Sequence, residues 1–297
     1  MRNKTMRNKT MRSNVRLGIG AGLAATAVLA VAGCSGNSGS SSANTGLGGS
    51  VDGSAISLVA DSMSKANTAG TVKITGTMSV GGISMTMNAD EQYSPSLEMS
   101  MTAQVAGQNI SEILLGDRIY MDYPALSAEL GGGKKWSEIN LAEATGSLGA
   151  FSSVINSARN ENPLNGLSAL IASKQVSKVG TETVQGQQTT HYKGTLNAAQ
   201  FLQSGAAGTS LSSSQIATLK SQLQSSGVTT ETIDLWVGSN GLPVQVKTSG
   251  QSAAGLISMT MDLSDWGTPV QVTAPAASEV ADITAKISAA VASASAG

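Results

Sequence analysis

The sequence predicts an α+β fold in which one large, curved antiparallel sheet is covered on its concave face by helices. Three observations lead to this prediction: short strands of alternating apolar and polar residues, glycine-rich turns between them, and helical stripes in the middle and at both ends. A sheet of this size has to bury one side, and the helical stripes are the apolar surfaces available to cover it.

The first 33 residues have the pattern of a bacterial lipoprotein signal peptide. Six basic residues come first, an uncharged apolar run follows from 17 to 32, and small residues lead to Cys34, which is the only cysteine. This order predicts cleavage before Cys34 and a diacylglyceryl group on its thiol. The apolar run is shorter than the ~20 residues that a membrane-spanning helix needs. We therefore expect Cys34 to anchor the mature chain to the outer, extracytoplasmic face of the cell membrane.

The amino-acid composition restricts the classes of partner and cofactor that the protein is expected to bind. Residues 34–50 are almost all Gly, Ser, Ala, Asn and Thr, which predicts a flexible tether before a folded domain at 51–297. Without the first 33 residues, 12 of the 18 Lys and Arg remain beside 19 Asp and Glu, a formal balance of −7. No basic cluster is left, which argues against nucleic acid as a partner. One histidine and a lipidated thiol cannot build a typical zinc site, and no cofactor is predicted.

The elements follow from hydrophobic periodicity. A helix is predicted between Asp52 and Gly70, because Ile56, Val59 and Met63 recur at helical spacing. Alternation predicts a first set of strands at 72–80, 83–89, 97–105, 110–115 and 118–122. Amphipathic stripes predict short helices at 148–155, 164–171 and 216–223. A second set of strands is predicted at 176–179, 183–184, 191–196, 233–237, 243–248, 256–263 and 270–273. A closing helix is predicted to carry Val280, Ile283, Ile287 and Val291.

The sequence contains no recognisable catalytic motif, so we do not expect this protein to be an enzyme. His191 is the only histidine, and no serine lies in a Gly-x-Ser-x-Gly turn that would present a nucleophile to it. We expect His191 to face solvent or to form a hydrogen bond on its strand. The acidic pairs Asp90–Glu91 and Asp262/Asp265 lack the spacing of a calcium loop and are interpreted as solvated strand ends.

Methionine on the apolar side of the predicted strands is the feature that indicates binding. Nine methionines remain after the signal segment, whereas the whole chain has two Phe. Unbranched thioether side chains repack around ligands of varying shape, while branched and aromatic residues specify one packing. A plain methionine-rich core is the alternative interpretation. The predicted wall of an apolar cavity consists of Met78, Met85, Met87, Met99, Met101, Ile113, Met121, Leu235, Met259 and Met261.

Three stretches resemble the actinobacterial LppX/LprAFG lipoprotein family, which has a LolA-like half-barrel fold. They are Gly180–Gly186 with Thr189–Tyr192, Leu235–Val237 with Gly241–Val244, and Met261–Gly267. The resemblance implies that acyl chains of a lipid or lipoglycan are held between the sheet and its covering helices, for transfer to the cell envelope. It makes a membrane transporter a further candidate partner. The alternative is a non-catalytic module that senses or regulates a membrane or cell-wall partner.

Overall fold

The computed structural model describes residues 53–143, 167, 171, 175–197, 230–252 and 255–295. Within these ranges the α+β prediction is confirmed, because twelve strands form one large open sheet with few helices. The strands are β1 (Thr71–Val80), β2 (Ile83–Gln92), β3 (Glu98–Val105), β4 (Gln108–Leu115), β5 (Arg118–Asp122), β6 (Trp136–Asn140), β7 (Val176–Val184), β8 (Gln187–Asn197), β9 (Thr230–Gly238), β10 (Pro243–Ser252), β11 (Gly255–Ser264) and β12 (Val280–Asp282). The helices are α1 (Gly53–Ala69), α2 (Pro124–Glu129) and α3 (Thr284–Ser295).

The sheet consists of two antiparallel meanders, which are joined where β1 pairs with β11. Its strand order is β12-β6-β5-β4-β3-β2-β1-β11-β10-β9-β8-β7, so β1 in the first meander pairs with β11 in the second. Every pairing is antiparallel except that of β12 with β6, which is parallel. Since side chains alternate along each strand, this register assigns every strand residue to one of two faces.

We call the face that α1 covers the inner face. On α1, Ala55, Val59, Met63 and Ala66 are buried at intervals of three or four residues, which is the stripe that a helix packs against a sheet. They belong to one core cluster with inner-face residues of β1 and β11, such as Ile74 and Leu263. The helix ends at Gly70, whose φ of 75° suits a residue without a Cβ atom.

A second core cluster seals the other end of the inner face. Ile287 of α3 and Ile283, which was predicted in the closing helix but lies just before α3, pack on Leu114, Ile119 and Ile139 from β4, β5 and β6. The first turn of α3 is fixed by Asp282, whose carboxylate accepts a 2.8 Å hydrogen bond from the backbone N–H of Thr284. Leu97, before β3, packs against both clusters and joins them.

Several elements differ from the sequence prediction. Helix α2 and strands β6 and β12 were not predicted, and Val280 belongs to β12 rather than to the closing helix. The predicted strand at 270–273 is wrong, because these residues form no strand pairing. Strand β7 is continuous over 176–184, with a register shift between Lys178 and Gly180.

The inserted helices are only partly visible. Leu167 and Ile171 are helical and pack in the α1 cluster, while the rest of the predicted stripes at 148–155, 164–171 and 216–223 lies outside the described residues. Among the helices that the structure describes, none combines the length and the hydropathy required to cross a membrane.

Candidate functional site

Six methionines extend the inner face beside the two core clusters: Met87, Met101 and Met259 pack against the first cluster, and Met99 packs against the second. Met78 of β1 lies directly opposite Met85 of β2 on one side and Met259 of β11 on the other. These three side chains are half-buried, as are Met87, Met99 and Met101 in the neighbouring strands. A row of half-buried apolar side chains across four adjacent strands is a continuous apolar surface.

Gly76 leaves space for the Met87 side chain on this surface. Gly76 on β1 lies opposite Met87 and Met261, and a Cβ atom there would come within 3.0 Å of the Met87 Cγ and 3.3 Å of the Thr260 carbonyl oxygen. The Met87 side chain therefore lies over the backbone of β1, in space that any other residue at position 76 would take.

Three predicted wall residues are buried in the core clusters. Met261 and Leu235 pack in the cluster under α1, and Met121 packs in the cluster under α3. They lie on the inner face as predicted, but they are buried within the clusters and are not part of the half-buried surface. The half-buried residues Met78, Met85, Met87, Met99, Met101 and Met259 form the part of the surface that we call the methionine face.

Ile113 does not belong to the methionine face. The register places it opposite Ser100 of β3 and Tyr120 of β5, on the outer face, while its neighbour Glu112 lies opposite Met101 and Met121. The sequence Ile113-Leu114-Leu115 contains three apolar residues in a row, so its alternation does not reveal which side chain faces inward.

Two carboxylic acids lie on the inner face beside the methionines. Glu91 of β2 is opposite Met99, and its interpretation as a solvated strand end is wrong because it is 9% exposed. Glu112 of β4 is 8% exposed. Burial raises the pKa of Glu91 to about 7 and the pKa of Glu112 to about 7, because a desolvated carboxylate loses the water that stabilises its charge.

The outer face carries a polar cluster around His191. Its imidazole stacks on the Trp236 ring at 4.4 Å between centroids, and its two nitrogens lie 2.8 Å from carboxylate oxygens of Asp234 and Glu182. The Trp236 indole N–H also donates to Glu182 at 2.8 Å. These contacts join β7, β8 and β9, so the hydrogen-bonded interpretation of His191 fits, although its side chain is only 12% exposed.

Two surface clefts bordered by described residues lie elsewhere. One of about 670 Å³ lies at the start of α3, beside Asp282 and Lys286. The other, about 210 Å³, lies between Lys73, Asp265 and the segment after β11. None of the ten predicted wall residues borders either cleft, so neither represents the predicted cavity.

This chain is similar in sequence and in structure to known proteins. The model of the LppX_LprAFG lipoprotein family matches residues 125–272. An uncharacterised 31.2 kDa protein of Streptomyces griseus is 32% identical over 235 residues, which cover 73% of this chain and 75% of that protein. The crystal structure of the lipoprotein LppX from Mycobacterium tuberculosis aligns with a TM-score of 0.45 at 17% identity, over 75% of this chain and 100% of LppX.

A second solved structure gives a similar alignment. LprF from Mycobacterium bovis matches with a TM-score of 0.46 at 17% identity, over 77% of this chain and 100% of LprF. The family match and the Streptomyces relative agree with the three stretches that indicated this family in the sequence. The chain belongs to the LppX/LprAFG lipoprotein family.

Proposed function

We propose that this lipoprotein binds the acyl chains of a lipid or lipoglycan against its methionine face and transfers that lipid to the cell envelope. In this proposal the protein is anchored outside the cytoplasm by a diacylglyceryl group on Cys34, with residues 34–50 as the tether between anchor and domain. The observation that carries the proposal is the half-buried methionine face, which spans four adjacent strands and borders both core clusters.

The energetics favour an acyl chain as the occupant. Transfer of apolar surface out of water is worth roughly 25 cal/mol per Å², or about 0.8 kcal/mol for each methylene. A chain that leaves a bilayer gives up this stabilisation unless it enters an equally apolar site. Flexible methionines provide such a site for chains of different length and unsaturation, since they repack at little cost.

Tryptophan substitutions test the location of the site. In protein carrying Cys34→Ala, so that no anchor lipid is present, we expect Met87→Trp or Met101→Trp to reduce the lipid recovered in organic extracts at least tenfold, as measured by mass spectrometry. The bulky indole fills the space that an acyl chain would occupy.

The neighbouring outer-face residues supply matched controls. Thr86→Trp and Thr102→Trp place the same side chain one residue away, at exposed positions, and should leave lipid recovery unchanged. Equal recovery from all four variants would refute the proposed location. If the parent protein yields no lipid at all after gentle purification, the envelope sensing or interaction module becomes the better function.

A further inference from the structure

Glu91 and Glu112 have a defined relation to the methionine face. Glu91 lies on β2 and Glu112 on β4, on either side of β3, and both share the face of Met99 and Met101. Adjacent strands are roughly 4.8 Å apart, so the two backbones are about 10 Å apart across β3. A lipid that lies across β3 would therefore contact the methionines and reach both carboxyl groups.

Neither carboxyl group has a polar partner in the described part of the chain. Their strand neighbours on the inner face are Val72, Met99, Met101 and Met121, all of them apolar. By contrast, Glu231, on the inner face of β9, has a hydrogen bond with the Thr248 side chain. A largely buried carboxyl group without a polar partner is unfavourable, because it loses part of its hydrogen bonding to water and gains no bond in exchange.

The charged residues near Glu91 and Glu112 restrict the type of ligand that could form hydrogen bonds with the two carboxyl groups. Each acid lies near a tyrosine: Glu91 contributes to the raised pKa of Tyr93, and Glu112 to that of Tyr123. The register places no Lys or Arg of β1–β6 on the inner face, since Lys73 and Arg118 lie on the outer face. An anionic headgroup would therefore have no basic partner on these strands.

Protonation makes both groups donors as well as acceptors. With a pKa raised to about 7 by burial, each carboxyl is largely protonated below neutral pH. A protonated carboxyl donates one O–H and accepts through its carbonyl oxygen. Ester carbonyls accept such a donor, and hydroxyls both donate and accept.

We infer that Glu91 and Glu112 are the polar recognition points of the lipid site, and that they hydrogen-bond the uncharged ester or hydroxyl groups of the bound lipid while its acyl chains lie on the methionine face. This inference rests on the proposed function. It selects neutral, ester-linked or hydroxylated lipids over lipids with a phosphate at the same position.

Two probes separate this inference from the proposed function. Dioleoylglycerol offers esters and one hydroxyl, whereas hexadecane offers apolar surface alone. Binding of each to lipid-stripped Cys34→Ala protein is measured by the change in intrinsic tryptophan emission and by native mass spectrometry. The proposed function predicts that both bind, and failure of both to bind would overturn it together with the inference.

Substitution of the two carboxyl groups tests the inference itself. We expect the double variant Glu91→Met/Glu112→Met to lower the affinity ratio of dioleoylglycerol to hexadecane about 30-fold, since it removes two neutral hydrogen bonds. Glu91→Gln/Glu112→Gln retains donors and acceptors and should restore most of that ratio. A ratio unchanged in the methionine variant overturns the inference while the proposed function stands.

A control and a phosphate probe complete the design. Glu98→Met removes an acid from the outer face of β3 and should leave the ratio unchanged, and a 30-fold loss in this variant would contradict the inference.

Dioleoyl phosphatidic acid should bind the parent protein at least tenfold more weakly than dioleoylglycerol at pH 8. Equal or tighter binding of the phosphatidic acid would refute the selection of uncharged lipids. All variants are first compared by thermal unfolding, and the Glu→Gln pair keeps the test open if the methionine pair is unstable.

Discussion

The buried carboxyl groups predict an unusual dependence of stability on pH. The pKa of Glu112 is raised from 4.5 to about 7 by burial, so the folded chain binds this proton more tightly than the unfolded chain does. Stability is therefore highest below the unfolded value and falls as the pH rises through the folded value. A difference of this size corresponds to about 3 kcal/mol in the free energy of unfolding, and Glu91 contributes a similar amount.

Equilibrium unfolding in urea at pH 4.5 and pH 8 measures this effect. We expect the parent protein to lose about 3 kcal/mol relative to Glu112→Gln between these two conditions, which corresponds to roughly 6–12 °C in Tm for a domain of this size. Asp90→Asn is the control, because it removes an exposed acid next to Glu91. The Asp90 carboxylate forms an ion pair with Lys73 at 3.8 Å, and such a pair is worth less than about 1 kcal/mol. If the stability curves of the parent and Glu112→Gln run parallel with pH, the inner-face burial of this carboxyl group is wrong.

Three further substitutions test other parts of the structure. His191→Gln should lower the free energy of unfolding by about 1–3 kcal/mol in urea titrations, because it removes the stack on Trp236 and a partner of the buried Asp234 carboxylate. Gly76→Ala should cost about 1–3 kcal/mol and reduce lipid recovery, since the new Cβ displaces Met87; unchanged recovery would contradict the space assigned to Met87 on this surface. Ile283→Ala should cost about 2–5 kcal/mol, as measured by chemical unfolding, because this side chain, just before α3, is fully buried in the second core cluster.

Local alternation was sufficient to predict most of the sheet. In β1 and β2, apolar residues alternate with Thr, Ser and Asn, and the register confirms that Met78, Met85 and Met87 share one face. The same rule, continued past Ala89, places Glu91 on that face. Its burial could thus have been read from the sequence if the strand had been extended by two residues.

The missed elements depend on contacts that are distant in sequence. Strand β6 reads Trp136-Ser-Glu-Ile-Asn, and all five residues are buried although three are polar. Two of its polar residues have partners distant in sequence: Arg118 pairs with Glu138, and the Thr284 hydroxyl accepts from the backbone N–H of Asn140. The Ser137 hydroxyl is buried without a hydrogen-bond partner among the described residues. Strand β12 pairs in parallel with β6, from which it is separated by almost half the chain, so no local pattern predicts either strand.

Photo-crosslinking tests most directly whether acyl chains lie on the methionine face. Dioleoylglycerol with a diazirine on one acyl chain would be bound to Cys34→Ala protein, irradiated and mapped by peptide mass spectrometry. We predict labels on alternate residues of β1, β2, β3 and β11, at inner-face positions such as Met78, Met87 and Met101. Labels at the intervening outer-face positions, or on the cleft beside α3 alone, would contradict the account.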